Sequence, residues 1–336
     1  MAEKKEFEFY FLEEMLPEWI AQFKSNDADG PGAYSYLPKG PLCTYGSTDV
    51  LISRFITNQL TLTEKDKDEW AEKINRFQDP KSGWYKKRYT LHFKEHTTAY
   101  AIAALKLIDR KPKYPLFWKD AILKDEKAME SWLNSITWSS IWNGSHVISG
   151  VPAALLMTGE GNERFYNWYF NWLDSETDTN SGFWRRGILH RMNILYRPNL
   201  HDMAGAFHMY YVYSYCNRSW RFADKAIDWT LKFQNSNGFW NGKVTYCVDL
   251  DAIYTMTRGC EILKGYRKED IKNSVIKYLA NAEKTLNNRE FLFKNYPDSH
   301  RLTGALCVIA EYQKYFPEMV KTKKKWRQSL DFACYI

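Results

Sequence analysis

Four of the seven histidines in this 336-residue chain fall at one recurring position. His96, His146, His201 and His300 each stand at the head of a small-and-apolar run, in EHTTAYAIAALKLI, GSHVISGVPAALLM, LHDMAGAFHMYYVY and DSHRLTGALCVIAEY. Ser47 holds the same place in YGSTDVLISRFI, and Asp249 in CVDLDAIYTM. Imidazoles and carboxylates gathered at one site can do acid–base chemistry. Two carboxylates in a partly apolar cavity have their pKa values pushed apart, so that one becomes a general acid. Asp249 and Asp251 are such a pair, and with His300 and His201 they are the candidate catalytic residues. His96, His146, Asp202, His208, Tyr254, Trp184, Trp240 and Arg185 are candidate substrate contacts. A mixed set of Asp249 or Asp251 with His300 and another histidine would suit zinc. No local metal spacing such as H-E-x-x-H occurs, so no ligand is assigned. The expectation is no cofactor, with zinc or magnesium the ions such a set would take. Neither a phosphate-cradling glycine motif nor a G-x-S-x-G elbow is present.

The elements that position these groups follow from the spacing. The six markers lie 49, 50, 55, 48 and 51 residues apart, enough for two helices and two loops per unit. The marker segments are apolar nearly all round, with Ala and Gly for close approach, and read as inner helices. The intervening segments 64–77, 163–175, 220–233 and 268–286 are amphipathic at helical period and read as outer helices. Six such hairpins predict an all-α, closed (α/α)6 toroid, with an open helical solenoid as the alternative. A single domain over residues 1–336 is expected, with a Gly/Pro-rich loop at 26–46 and a basic, solvated tail from about residue 314. Inner helices of one sense would bring the markers, with Asp49 and Ser145, to one mouth. His208 lies seven residues after His201 and so about two turns deeper on the same face. Ser and Asp at helix starts also serve as caps. Histidine is not a preferred cap, so the set of four points to a shared polar site. Glycine-aromatic loops QDPKSGWY, DTNSGFWRRG and QNSNGFWNG join outer to inner helices, and their Trp residues should pack between hairpins.

Composition bounds the function. Net charge is +7 with both signs dispersed, and the one dense basic run is KTKKKWRQ. That pattern argues against a nucleic-acid binder and mildly favours an anionic small-molecule substrate. Aromatic residues are 17% of the chain, enough for a thick core and a ring-lined cavity. The first residues lack a secretory pattern, and no run is long enough to span a bilayer. The six cysteines lack C-x-x-C spacing, and free thiols in the cytoplasm are expected.

Gln234-x3-Gly238-x-Trp240 resembles the QW motif of squalene and oxidosqualene cyclases. Asp249-Leu250-Asp251-Ala252 is similar to the D-x-D-D motif of class II terpenoid cyclases, with the last Asp replaced. That resemblance implies an α/α toroid, an isoprenoid substrate, peripheral membrane contact as an allowed partner, and Asp251 as Brønsted acid. Protein prenyltransferase β subunits carry D-x-C and a later His as zinc ligands at similar places. Asp249 and His300 fill two of these, and Asp251 stands where the Cys would. QDPKSGWY and LDAIYTM also resemble elements of unsaturated-uronyl hydrolases among the six-hairpin glycosidases. There an Asp at a helix start is the general acid, and the substrate is an anionic oligosaccharide. Some polysaccharide lyases share that architecture. A toroid that only binds a partner through its mouth is the third reading.

Overall fold

The computed structural model describes residues 6–86, 92–184 and 197–336. Among them are fourteen α-helices and almost no strand. In chain order these are α1 (Tyr10–Ala21), α2 (Thr44–Ile56), α3 (Glu64–Asn75), α4 (Lys94–Leu107), α5 (Lys119–Leu123), α6 (Glu126–Asn134), α7 (Ile141–Thr158) and α8 (Glu163–Glu176). They continue with α9 (Leu200–Tyr215), α10 (Ala223–Phe233), α11 (Cys247–Ile262), α12 (Lys268–Leu286), α13 (Arg289–Asn295) and α14 (Ser299–Tyr315). The only strands among the described residues, β1 (Phe7–Glu8) and β2 (Val320–Lys321), pair in parallel.

The marker segments form α2, α4, α7, α9, α11 and α14, and these are buried over most of their length. Each packs on the next in chain order, and α14 packs back on α2. Glycine makes that approach possible. A Cβ on Gly150 of α7 would lie 2.8 Å from the Glu95 carbonyl of α4, and one on Gly304 of α14 would lie 2.7 Å from Cys247 N of α11. The amphipathic segments form α3, α8, α10 and α12, which keep one polar face exposed. Their starts are capped where the sequence offers a donor-seeking side chain: Thr63 with Asp66 closes a capping box on α3, and Asn162 caps α8.

The glycine-aromatic loops tie neighbouring helices together. In the third loop Gln234 Nε2 donates to Gly238 O (2.8 Å) and to Ser274 O of α12 (3.0 Å). Gly238 sits at φ +89°, the left-handed region glycine tolerates, against the Lys277 backbone. Trp240 Nε1 donates to Thr230 O (2.7 Å), near the end of α10. Trp184 repeats this toward Leu173 O of α8 (2.8 Å). Both indoles are fully buried wedges.

The basic C-terminal run does not lead into a solvated tail. Glu13 of α1 accepts from Lys323 N (2.6 Å) and from Trp326 Nε1 (2.9 Å). Leu330, Ala333, Cys334 and Tyr335 are buried. The segment from Gln328 onward meets five of the six buried helices: Cys307 and Glu311 of α14, Phe55 of α2, Arg258 of α11, Tyr211 of α9 and His96 of α4. A segment in reach of so many helices lies between them. The apolar residues after the lysines drive it there, because their burial outweighs the cost of ordering the chain. No helix among the described residues is long and apolar enough to cross a membrane.

Candidate functional site

A cavity of about 240 Å³ opens among residues near the N-terminal ends of α4, α7, α9, α11 and α14. Five of the described histidines line it: His92, His96, His146, His208 and His300. Tyr100, Trp142, Phe207, Tyr246, Asp251 and Arg301 complete most of the wall, and Ile336 reaches it from the buried tail.

Among the described residues Asp251 is the one acidic side chain on this wall. It sits one turn into α11, fully buried, and neither carboxylate oxygen has a hydrogen-bond partner among the described residues. Burial, and then the charge of Asp249, hold its pKa well above the ordinary carboxylate range. Both effects favour the protonated carboxyl over the carboxylate. Asp249 behaves differently. Two residues on a helix apart points it about 200° away. Its Oδ1 accepts from Trp240 N (2.7 Å) and its Oδ2 from Tyr246 N (3.1 Å). Burial raises its pKa to about 7 despite those bonds. Asp249 is absent from the cavity wall and acts as a cap that ties the loop to α11.

His300 begins α14 and has a built partner. Asp49 of α2 accepts from His300 Nδ1 (2.9 Å), from the Tyr100 hydroxyl (2.7 Å) and from the Ser299 hydroxyl (2.6 Å). Burial pulls the His300 pKa down, but the Asp49 carboxylate more than offsets this and the net shift is upward. With Nδ1–H held by Asp49, Nε2 is the proton-accepting atom of neutral His300. His208 lies beside Ser145, with 2.8 Å between Nδ1 and the hydroxyl, and burial lowers its pKa to about 3.

His92, His96 and His146 form a tighter group. The rings of His92 and His96 stack at 4.1 Å and 14°, and His146 stands edge-on to His96 at 4.7 Å and 73°. The Tyr45 hydroxyl of α2 lies 2.8 Å from His96 Nδ1 and 2.9 Å from His92 Nδ1. Burial, then repulsion among neighbouring imidazoles, lowers the pKa of His96 and His146 far below the usual histidine range. Both are neutral at neutral pH.

The remaining candidates lie elsewhere. His201 is exposed at the second residue of α9 and stacks on Trp142 at 5.2 Å, outside the cavity. Asp202 closes a capping box with Asn199 and does not reach the wall. Trp184 and Trp240 are core wedges. Tyr254, three residues past Asp251, packs on Phe207 and under Arg258 instead of facing the cavity. Arg185 lies outside the described residues. The loop 26–46 does not enter the wall either. His92, Tyr45, Trp142 and Arg301 were not singled out by sequence. His92 had a usable signal, standing four residues before His96.

Comparison of the chain with protein-family models, with curated proteins and with solved structures finds no match. The reading of the site therefore rests on its own geometry.

Proposed function

We propose that the chain is an (α/α)6 toroid whose mouth carries general acid–base catalysis on a small anionic sugar, with Asp251 as the proton donor. The observation that carries this reading is the buried, unpartnered Asp251 carboxyl on a cavity wall. The closed succession of contacts among six buried helices supports the toroid. A carboxyl with a raised pKa suits proton transfer to a leaving-group oxygen near neutral pH. In hydrolysis Asp251 would protonate the glycosidic oxygen as its bond to carbon breaks. Water would add to that carbon and lose a proton to Nε2 of His300, whose imidazolium Asp49 stabilises. Trp142 and Tyr100 offer faces for a sugar ring, and half-exposed Arg301 offers a cation for a uronyl carboxylate. A lyase on the same substrate would use the same acid and base.

A terpenoid-cyclase-like reaction is the second reading, favoured by the aromatic faces of Tyr100, Trp142 and Phe207, which could stabilise a carbocation. Two features rank it lower. A carboxyl held strongly protonated is a weak acid toward an alkene. A cavity of about 240 Å³ is also smaller than the roughly 300–1,000 Å³ of pockets that enclose drug-sized ligands.

The test is a paired screen of wild type and Asp251→Asn. One arm uses unsaturated uronyl oligosaccharides, the other polyprenyl diphosphates and squalene. Turnover in one arm, lost in the variant, identifies substrate class and acid together. No turnover in either arm refutes both enzymatic readings and leaves a toroid that binds a partner.

A further inference from the structure

We infer that His92, His96 and His146 form a binding site for a zinc-class divalent transition-metal ion. One ring nitrogen of each lies within 4.8 Å of the others. The three come from two places in the chain, the approach to α4 with its first turn and the first half of α7, so the fold assembles them.

Two features go beyond proximity. First, His146 is 6% exposed, and its Nδ1 is buried with no hydrogen-bond partner. A buried, bare imidazole nitrogen is costly unless something else satisfies it. Second, the Tyr45 hydroxyl oxygen sits within hydrogen-bond reach of Nδ1 on both His92 and His96. It can accept from both Nδ1–H groups while its own proton goes toward Thr97 Oγ1, 3.4 Å away. With Tyr45 accepting from both, the two rings hold the tautomer whose Nε2 carries a lone pair, as an outer partner does at metal-bound histidines.

Three imidazoles select zinc, cobalt or copper over magnesium or calcium, which prefer oxygen. Zinc–nitrogen bonds of about 2.0–2.1 Å require ligand atoms about 3.3 Å apart in a tetrahedron. The ring nitrogens, all within 4.8 Å of one another, must therefore close in by at most about 1.5 Å on binding, a movement within the reach of side-chain rotation. Three protein ligands would leave a fourth position for water or substrate, the pattern of catalytic rather than structural zinc. The site shares its cavity with Asp251, but its existence does not depend on the substrate class.

The experiment uses the full chain, stripped with a chelator and titrated with cobalt(II). Cobalt(II) reports its coordination in the visible spectrum. We expect one equivalent to bind with the intense bands of a four-coordinate ion, and zinc to displace it. His96→Ala and His146→Ala should each abolish those bands. Tyr45→Phe, which keeps the ring and removes the hydroxyl, should weaken binding by about 10–100-fold. His201→Ala, exposed and outside the cavity, should change nothing. No stoichiometric cobalt binding by wild type overturns the site, as does binding that the His96 and His146 variants leave intact. Because the readout is a spectrum and not turnover, failure of the metal site and failure of the proposed reaction are seen separately.

Discussion

The raised pKa of Asp251 has a consequence for stability that can be measured without knowing the substrate. In the unfolded chain this carboxyl titrates at an ordinary value near 4. In the folded chain burial and Asp249 hold its pKa well above that. As pH rises past 4 the unfolded chain loses a proton that the folded chain keeps, so folding becomes less favourable. One such group costs about 1.4 kcal/mol per pH unit until the folded carboxyl itself ionises. Asp251→Asn replaces a neutral, unpartnered acid by a neutral amide of the same shape and removes the titration. The two proteins should therefore be equally stable near pH 4. The variant should gain on wild type progressively as pH rises above that, until the folded carboxyl ionises. Urea unfolding from pH 4 to 8, in the presence of chelator, reads the difference from the midpoint at constant m. Parallel curves for the two proteins would refute the protonated acid. So would a variant that is less stable throughout, since that would mean Asp251 is charged and partnered.

Other expectations follow from packing. Arg258→Ala strips the bidentate partner from Glu311, which is fully buried, and should cost about 3–5 kcal/mol in urea unfolding. Tyr335→Ala removes a fully buried ring set against His96 and Tyr211 and should cost about 3 kcal/mol, whereas a solvated tail would show almost none. Gly238→Ala forces a Cβ to 2.4 Å from the Lys277 carbonyl at φ +89° and should lose at least about 2 kcal/mol. Gly242→Ala, also at positive φ but facing open space, should lose less, and thermal melts of the pair compare them directly.

Much of the architecture was legible because it is periodic. The small-and-apolar runs predicted α2, α4, α7, α9, α11 and α14, and the amphipathic runs predicted α3, α8, α10 and α12, to within a few residues. The glycine-aromatic loops were also legible, since Gly238 and Trp240 act through local geometry. The tail was misread because a basic run was taken alone, without the apolar residues that follow it. Trp184 and Trp240 could not be placed from composition: an indole that wedges hairpins and one that lines a cavity look the same in sequence.

The sequence by itself determined that histidines and carboxylates recur at helix starts, and that those starts come around about every fifty residues. Helical period and capping preference are local, so they can be read from neighbours in the chain. Only the tertiary structure decided which of these groups share a cavity. Asp249 and Asp251 are two residues apart, yet one caps a loop and the other faces the cavity, because the helix turns about 100° per residue. Tyr45, His92, His96 and His146 meet because α2, α4 and α7 pack side by side. His300 finds Asp49 because α14 returns to α2. Convergence of side chains from distant segments depends on how whole helices pack, and no window of the sequence contains that information.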